Sequence, residues 1–148
     1  MKELKIIDYG NVWTCENMDN LAPIDWEGYK VLFSDGSIKV IDDLEEVREY
    51  KRATKEEYKD FYRERNYLFV GDEVEIIKGR KIPIGKHKIV EDFYTYQVPG
   101  TYGHKQMEYI IFTDGSKTDI VNVRNVKCQK PDVRAKKFTI GYSLSGRI

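Results

Sequence analysis

The chain has 148 residues, 41% of them hydrophobic and 34% charged, and 25 Lys or Arg balance 25 Asp or Glu. That length suits one ordinary domain or two small ones, and the apolar share excludes a disordered chain. No run approaches the ~20 apolar residues of a membrane span, and the start, MKELKIIDYG, interleaves charged with apolar residues. A cytoplasmic protein with no membrane partner is therefore expected. Cys15 and Cys128 sit in no CxxC or CxH pattern and His87 and His104 are the only histidines, so no metal site is expected. The abundance of Lys, Tyr, Ile and Asn suits the AT-rich genome of a bacterium or its phage.

The neutral total hides an asymmetry. Residues 1–66 hold 11 Lys or Arg and 16 Asp or Glu, a net of −5, whereas residues 67–148 hold 14 and 9, a net of +5. An acidic half followed by a basic half points to two functional units.

In chain order, residues 1–47 read as an N-terminal β module. Within it, YKVLFSDGSIKVIDDLEEV (29–47) places Asp35-Gly36 between two β-type runs, a tight-hairpin signal because glycine accepts positive φ. Residues 48–67 read as a helical linker. Asp43 and Glu46 suit the start of a short helix just upstream. Thr54 and Glu57 fit a capping box for a helix from Lys55 to about Arg65, ended by Asn66 or Tyr67. Tyr58, Phe61 and Tyr62 share one face of that helix and read as core between the modules.

Residues 68–130 form the second module. Val74 and Ile76 alternate with Glu73 and Glu75, as in a half-buried strand. Lys88 to Phe93 makes another strand, and Tyr109–Phe112 with Asp119–Val123 flank Asp114-Gly115 as a second hairpin. Residues 131–148 read as an extension, with a strand from Lys136 to Leu144 after the turn signal Pro131-Asp132. Val31 to Ser37 aligns with Ile110 to Ser116, 79 residues apart, so one hairpin occurs twice. Short strands with such punctuation suggest small barrels.

Between the strands of the second module, residues 78–88 hold five Lys or Arg, one His, one Pro and two Gly. Lys78, Arg80, Lys81, Lys86 and Lys88 repel one another there, a cost that an anionic ligand relieves. Phosphates do so while releasing condensed salt ions. Tyr94, Tyr96 and Tyr102 follow closely, and aromatics beside a basic patch stack on unpaired bases.

VGDEVEIIKGRKIPIGKHKIVEDF (70–93) resembles the KOW motif of transcription elongation factors and some ribosomal proteins. The matching features are the strand after Gly71-Asp72, then Lys78-Gly79, then Gly85 before the next strand. The resemblance implies an SH3-like barrel over about 70–128, with a divergent second copy in residues 1–47. It implies partners among RNA, DNA-associated machinery or other proteins. Residues 80–84 are an insertion relative to the motif. The expected class is mainly β with a helical linker (α+β), built of two small SH3-like β-barrel-type modules.

No enzyme is expected. The chain has no phosphate loop ending in Gly-Lys-Ser/Thr, no GxSxG and no HExxH, and no cofactor is called for. The cluster Asp42, Asp43, Glu45 and Glu46 is better explained by helix-start capping than by cation binding. Two readings stay open. One is a non-enzymatic module binding RNA or single-stranded DNA through Lys78, Arg80, Lys81, Lys86, Lys88, Tyr94, Tyr96 and Tyr102. The other is a protein-interaction or inhibitor module, either an adaptor or a viral factor that blocks a host protein, that touches no nucleic acid. They part on charge placement. Loop and tyrosines on one face favour the first; pairing of Glu46, Glu49 and Glu57 with the loop would remove it.

Overall fold

Two Asp-Gly turns organise the chain, and each builds its own sheet. The computed structural model describes residues 3–15, 23–100 and 103–139. It is mostly β with two short α-helices, and it divides into one unit running to Phe61 and another from Tyr62 to Phe138.

The first unit holds strands β1 (Lys5–Cys15), β2 (Pro23–Phe33) and β3 (Ile38–Ile41), helix α1 (Leu44–Arg48) and strand β4 (Lys51–Arg52). Their order is β3-β2-β1-β4, antiparallel except where β4 runs parallel to β1. Ile6, Val31, Phe33, Ile41 and Val47 form its core, with Tyr29 and Tyr50 packed against it. The Asp43 carboxylate accepts from the Glu45 N–H at 3.0 Å and caps α1 as expected. Helix α2 (Lys55–Arg63) starts at the expected capping box, with Thr54 and Glu57 exchanging two 3.2 Å hydrogen bonds. It ends two residues before Arg65, since Asn66 turns the chain at φ 65°. Phe61 and Tyr62 are buried and Tyr58 is half-buried.

The second unit contains β5 (Tyr67–Leu68), β6 (Glu73–Ile76), β7 (His87–Gly100), β8 (Gly103–Phe112), β9 (Lys117–Asp119), a 3₁₀ turn (Ile120–Asn122), β10 (Val123–Asn125) and β11 (Lys136–Lys137). Five strands form one sheet in the order β10-β6-β7-β8-β9, and β11 pairs with β5 in parallel. The strand expected over Asp119–Val123 is interrupted. The chain must leave β8 at one edge and return to β6 at the other, and the 3₁₀ turn makes that change of partner with Ile120 buried. Both sheets are open: β9 and β10 are edges in one, β3 and β4 in the other. Leu68, Val74, Ile76, Val90, Ile110, Phe112 and Val123 fill the core. Each such side chain contributes roughly 1.5–3 kcal/mol by leaving water. Strands β7 and β8 run well beyond the expected Lys88–Phe93 and Tyr109–Phe112, because Tyr, Thr and Val suit a pleated surface. Of the strand expected over Lys136–Leu144, the described part is β11, followed by Phe138 stacked on Phe69 at 4.7 Å; residues 140–148 lie outside the described residues.

The two hairpins match bond for bond. In the first, the Phe33 N–H donates to Ser37 O and the Gly36 N–H to Phe33 O, both at 2.9 Å; in the second, Phe112 to Ser116 and Gly115 to Phe112 do the same at 2.9 Å. Gly36 and Gly115 take φ of 90° and 85°, and Asp35 and Asp114 each accept from a serine two residues on. The likeness extends into β1 and β7, where the register slips between Ile6 and Asp8 and again between Val90 and Asp92.

A buried polar network closes the second unit. Asp72 accepts from Arg63 Nε at 2.9 Å, from the Phe69 N–H at 3.1 Å and from Asn125 Nδ2 at 2.9 Å. Asn125 donates also to Tyr67 O at 3.0 Å, while Asn66 accepts from the Asn125 N–H at 2.8 Å and donates to Val133 O at 2.7 Å. Side chains of Arg63 and Asp72 are 13% and 6% exposed, so Asp72→Ala would leave a desolvated guanidinium without its carboxylate. It is expected to cost about 3 kcal/mol in urea unfolding, the range seen when one partner of a buried pair is removed.

Lys88, which is ion-paired to Asp114, and then Ser116 hold the Asp114 carboxyl well below its ordinary value. A depressed carboxyl stabilises the fold above its unfolded pKa, and that stability is lost as pH falls through the folded value. The second hairpin should therefore keep its structure as pH falls through the range where ordinary carboxylates titrate and loosen only in stronger acid. Lys88→Met should raise the Asp114 transition, as read by carboxyl NMR.

Candidate nucleic-acid interface

Strand periodicity sorts the second sheet into two faces. Val90, Ile110 and Phe112 point to the core, while Tyr94 and Tyr96 on β7, Tyr109 on β8, and Lys117 and Asp119 on β9 share the other side. Pairing then aligns them: Tyr94 lies opposite Tyr109, and Tyr109 opposite Asp119. A row Tyr94–Tyr109–Asp119 therefore crosses three strands at about 4.8 Å per step.

The tyrosine rings form a stack. Tyr109 lies 4.2 Å from Tyr96 and 5.3 Å from Tyr94, with interplanar angles of 18° and 30°. Tyr109 is thus in the middle and Tyr94 at an end, where Lys117 Nζ reaches to 5.9 Å from its ring centre. A hydrogen bond to Tyr109 is the main reason that Tyr96 is pushed up to about 12.

The basic loop is held in place by its backbone. Ile76 N–H donates to Lys86 O and Gly85 N–H to Ile76 O, both at 2.8 Å, and Ile77 N–H donates to Asn122 O at 2.8 Å. Ile82 packs on the core. Gly79 has φ 106°, and a Cβ there would stand 2.9 Å from Asn122 Nδ2, so the close approach of loop to 3₁₀ turn needs glycine. This brings Arg80 and Lys81 against the sheet face. Together with Tyr94, Tyr109, Lys117 and Asp119 they line a groove of about 490 Å³, with Thr118 and Asn122 beside them.

The expected residues divide as follows. Arg80, Lys81 and Tyr94 meet in the groove, and Tyr96 supports it through Tyr109. Lys78 lines a separate groove of about 250 Å³ beside Val121, Val123 and residues 131–135. Lys86 is exposed on the loop. Lys88 is paired with Asp114, so its charge is already met. Tyr102 lies outside the described residues. Sequence reasoning missed Tyr109, Lys117 and Asp119. Counting outward from the Asp114-Gly115 turn sets Lys117 opposite Ile111 and Asp119 opposite Tyr109, so the hairpin itself carried that signal.

Among the described residues, Arg80, Lys81 and Lys117 make no ion pair, and Asp119 makes neither an ion pair nor a hydrogen bond. Of the three acidic residues whose pairing with the loop would remove the reading, Glu57 binds Lys5 at 3.0 Å and Glu46 binds Lys39 at 3.3 Å, while Glu49 makes no ion pair among the described residues. Among the described residues no three His, Cys, Asp or Glu side chains are grouped to hold a metal ion, and no helix is long and apolar enough to cross a membrane. Cys128 is buried as a free thiol. No protein-family model, curated protein or solved structure matches this chain.

The stack has a spectroscopic signature. Tyr109→Phe removes the hydroxyl partner of Tyr96 and should bring the Tyr96 transition down from about 12 towards ~10, the ordinary tyrosine value, in a ring-carbon NMR titration.

Proposed function

We propose that the chain is a non-enzymatic module that binds single-stranded nucleic acid in the groove of its second unit. One observation carries the reading: Arg80, Lys81 and Lys117, which make no ion pair among the described residues, line one groove with Tyr94 and Tyr109 of the tyrosine stack. Cations along a backbone path with an aromatic platform for a base are the two parts that unpaired strands require. Duplex DNA fits less well, since its bases are already stacked and the tyrosines would find no free face. The strand order, with β10 returning to β6 after a 3₁₀ turn, supports an SH3-like barrel of the KOW kind as the scaffold. Lys78 and Lys86 lie on the same loop outside the groove and add to its field at longer range. The runner-up, a protein partner that adds a strand, is favoured by edge strand β3, where Ile38 and Val40 are 43% and 53% exposed.

Fluorescence anisotropy with a short labelled single strand tests the reading. Micromolar binding at low salt is expected, weakening as salt rises. Changing Arg80, Lys81 and Lys117 together to Ala should reduce the salt slope by about 2, at ~0.7 per phosphate contact on a single strand. No binding at low salt, or a slope unchanged by the triple substitution, sets the reading aside and leaves the β3 edge as the surface to test.

A further inference from the structure

The groove holds one residue that phosphate binding does not explain. Asp119 is an anion placed among three cations, yet it pairs with none of them among the described residues. A carboxylate repels phosphate, so this point of the groove cannot serve the backbone of a bound strand. Its register position fixes it instead in line with the rings, directly across from Tyr109, which is itself across from Tyr94. It belongs to the part of the groove where a stacked base, not a phosphate, would lie.

We infer that Asp119 selects guanine as the base held at the tyrosine stack, an inference that rests on the nucleic-acid reading. An ionised carboxylate only accepts hydrogen bonds, through two oxygens side by side. Guanine alone among the common bases presents two adjacent donors on its pairing edge, N1–H and the exocyclic N2–H. Adenine and cytosine set one amino donor beside a ring nitrogen whose lone pair faces the carboxylate. Uracil and thymine offer one N–H flanked by two carbonyl oxygens. Each of these alternatives puts an acceptor against Asp119 and leaves an oxygen unpaired in a partly desolvated groove. Arg80, Lys81 and Lys117 then neutralise the flanking phosphates, while the carboxylate reads the base between them. Asn122 Nδ2 is committed to Thr118 Oγ1 at 2.9 Å, which fixes the orientation of that side chain at the groove wall.

The test uses the intact protein and short uracil-rich strands that differ in one central base: guanine, adenine, cytosine or inosine. Inosine keeps N1–H and the purine face but lacks the exocyclic amine. The guanine strand should bind roughly 5- to 100-fold tighter than the adenine and cytosine strands, the range of one bidentate base contact, and inosine should lose most of that gain. The same order is expected in the DNA series, because the pairing edge is common to both sugars. Asp119→Asn, which replaces one acceptor oxygen by an amide donor, should collapse the gap between guanine and inosine. Salt-dependent binding with equal affinity for all four strands overturns the guanine inference and leaves the nucleic-acid reading standing. A guanine preference that survives Asp119→Asn overturns the role of that carboxylate. Absence of binding by every strand at low salt overturns both.

Discussion

The second unit depends on where one carboxylate goes. Asp72 closes the turn after Phe69, receives Arg63 from the end of α2 and meets Asn125 on β10. Burying a charge is costly unless partner and hydrogen bonds are both supplied, and here they are. Asn125 is the far end of the same bond set, so β10 is fixed beside β6 by polar geometry as well as by Val74 and Val123. That in turn sets the 3₁₀ turn, and with it Asn122, against which Gly79 and the basic loop rest. The groove is thus the last link of a chain of positions that begins in the interior. Arg80 and Lys81 have long, free stems, but the backbone that carries them is held.

The duplicated hairpin makes a comparison within one molecule. In the second copy the row across the sheet is Tyr94, Tyr109 and Asp119. The matching pairs in the first copy are Gly10 opposite Lys30 and Lys30 opposite Val40. Turn, bulge and register are the same, yet the aromatic and acidic groups are missing. The first copy also has β4 beside β1, where the second has β6 and the loop that follows it. The same turn bonds therefore build both sheets, and the two copies differ in the side chains that their outer faces carry.

How much the sequence revealed follows from the range of each interaction. The capping box at Thr54 and Glu57, the cap at Asp43, the alternation of residues 73–76 and both Asp-Gly turns involve neighbours within a few residues, and all were legible. The charged loop was legible as composition, and Arg80, Lys81 and Tyr94 do share one groove. Tyr109 and Asp119 were not found because their partners are 15 and 10 residues distant along the chain and adjacent only through register. Lys88 looked like one cation of five, but its side chain points back to Asp114 across the sheet. The 3₁₀ turn hid behind Ile120, Val121 and Val123, whose β-branched side chains read as strand while the path between sheet edges demanded a turn. Asn66 and Asn125 gave no local sign that they would share a buried network.

Repeating a hairpin within one polypeptide also poses a kinetic problem. Strands with the same register and the same bulge are interchangeable partners while the chain is still unfolded, and β1 could meet β8 as readily as β2 by pattern alone. Connection length decides against it. Each strand reaches its own partner through a short stretch of chain, whereas a crossed pair must close a loop several times longer before any ladder bond forms, and closure entropy grows with that length. Crossed pairing would also set the side chains of β1 along the row that Tyr109 shares with Asp119, and leave β7 with no β8 to join. Order of closure, more than difference in sequence, keeps two look-alike hairpins from trading strands.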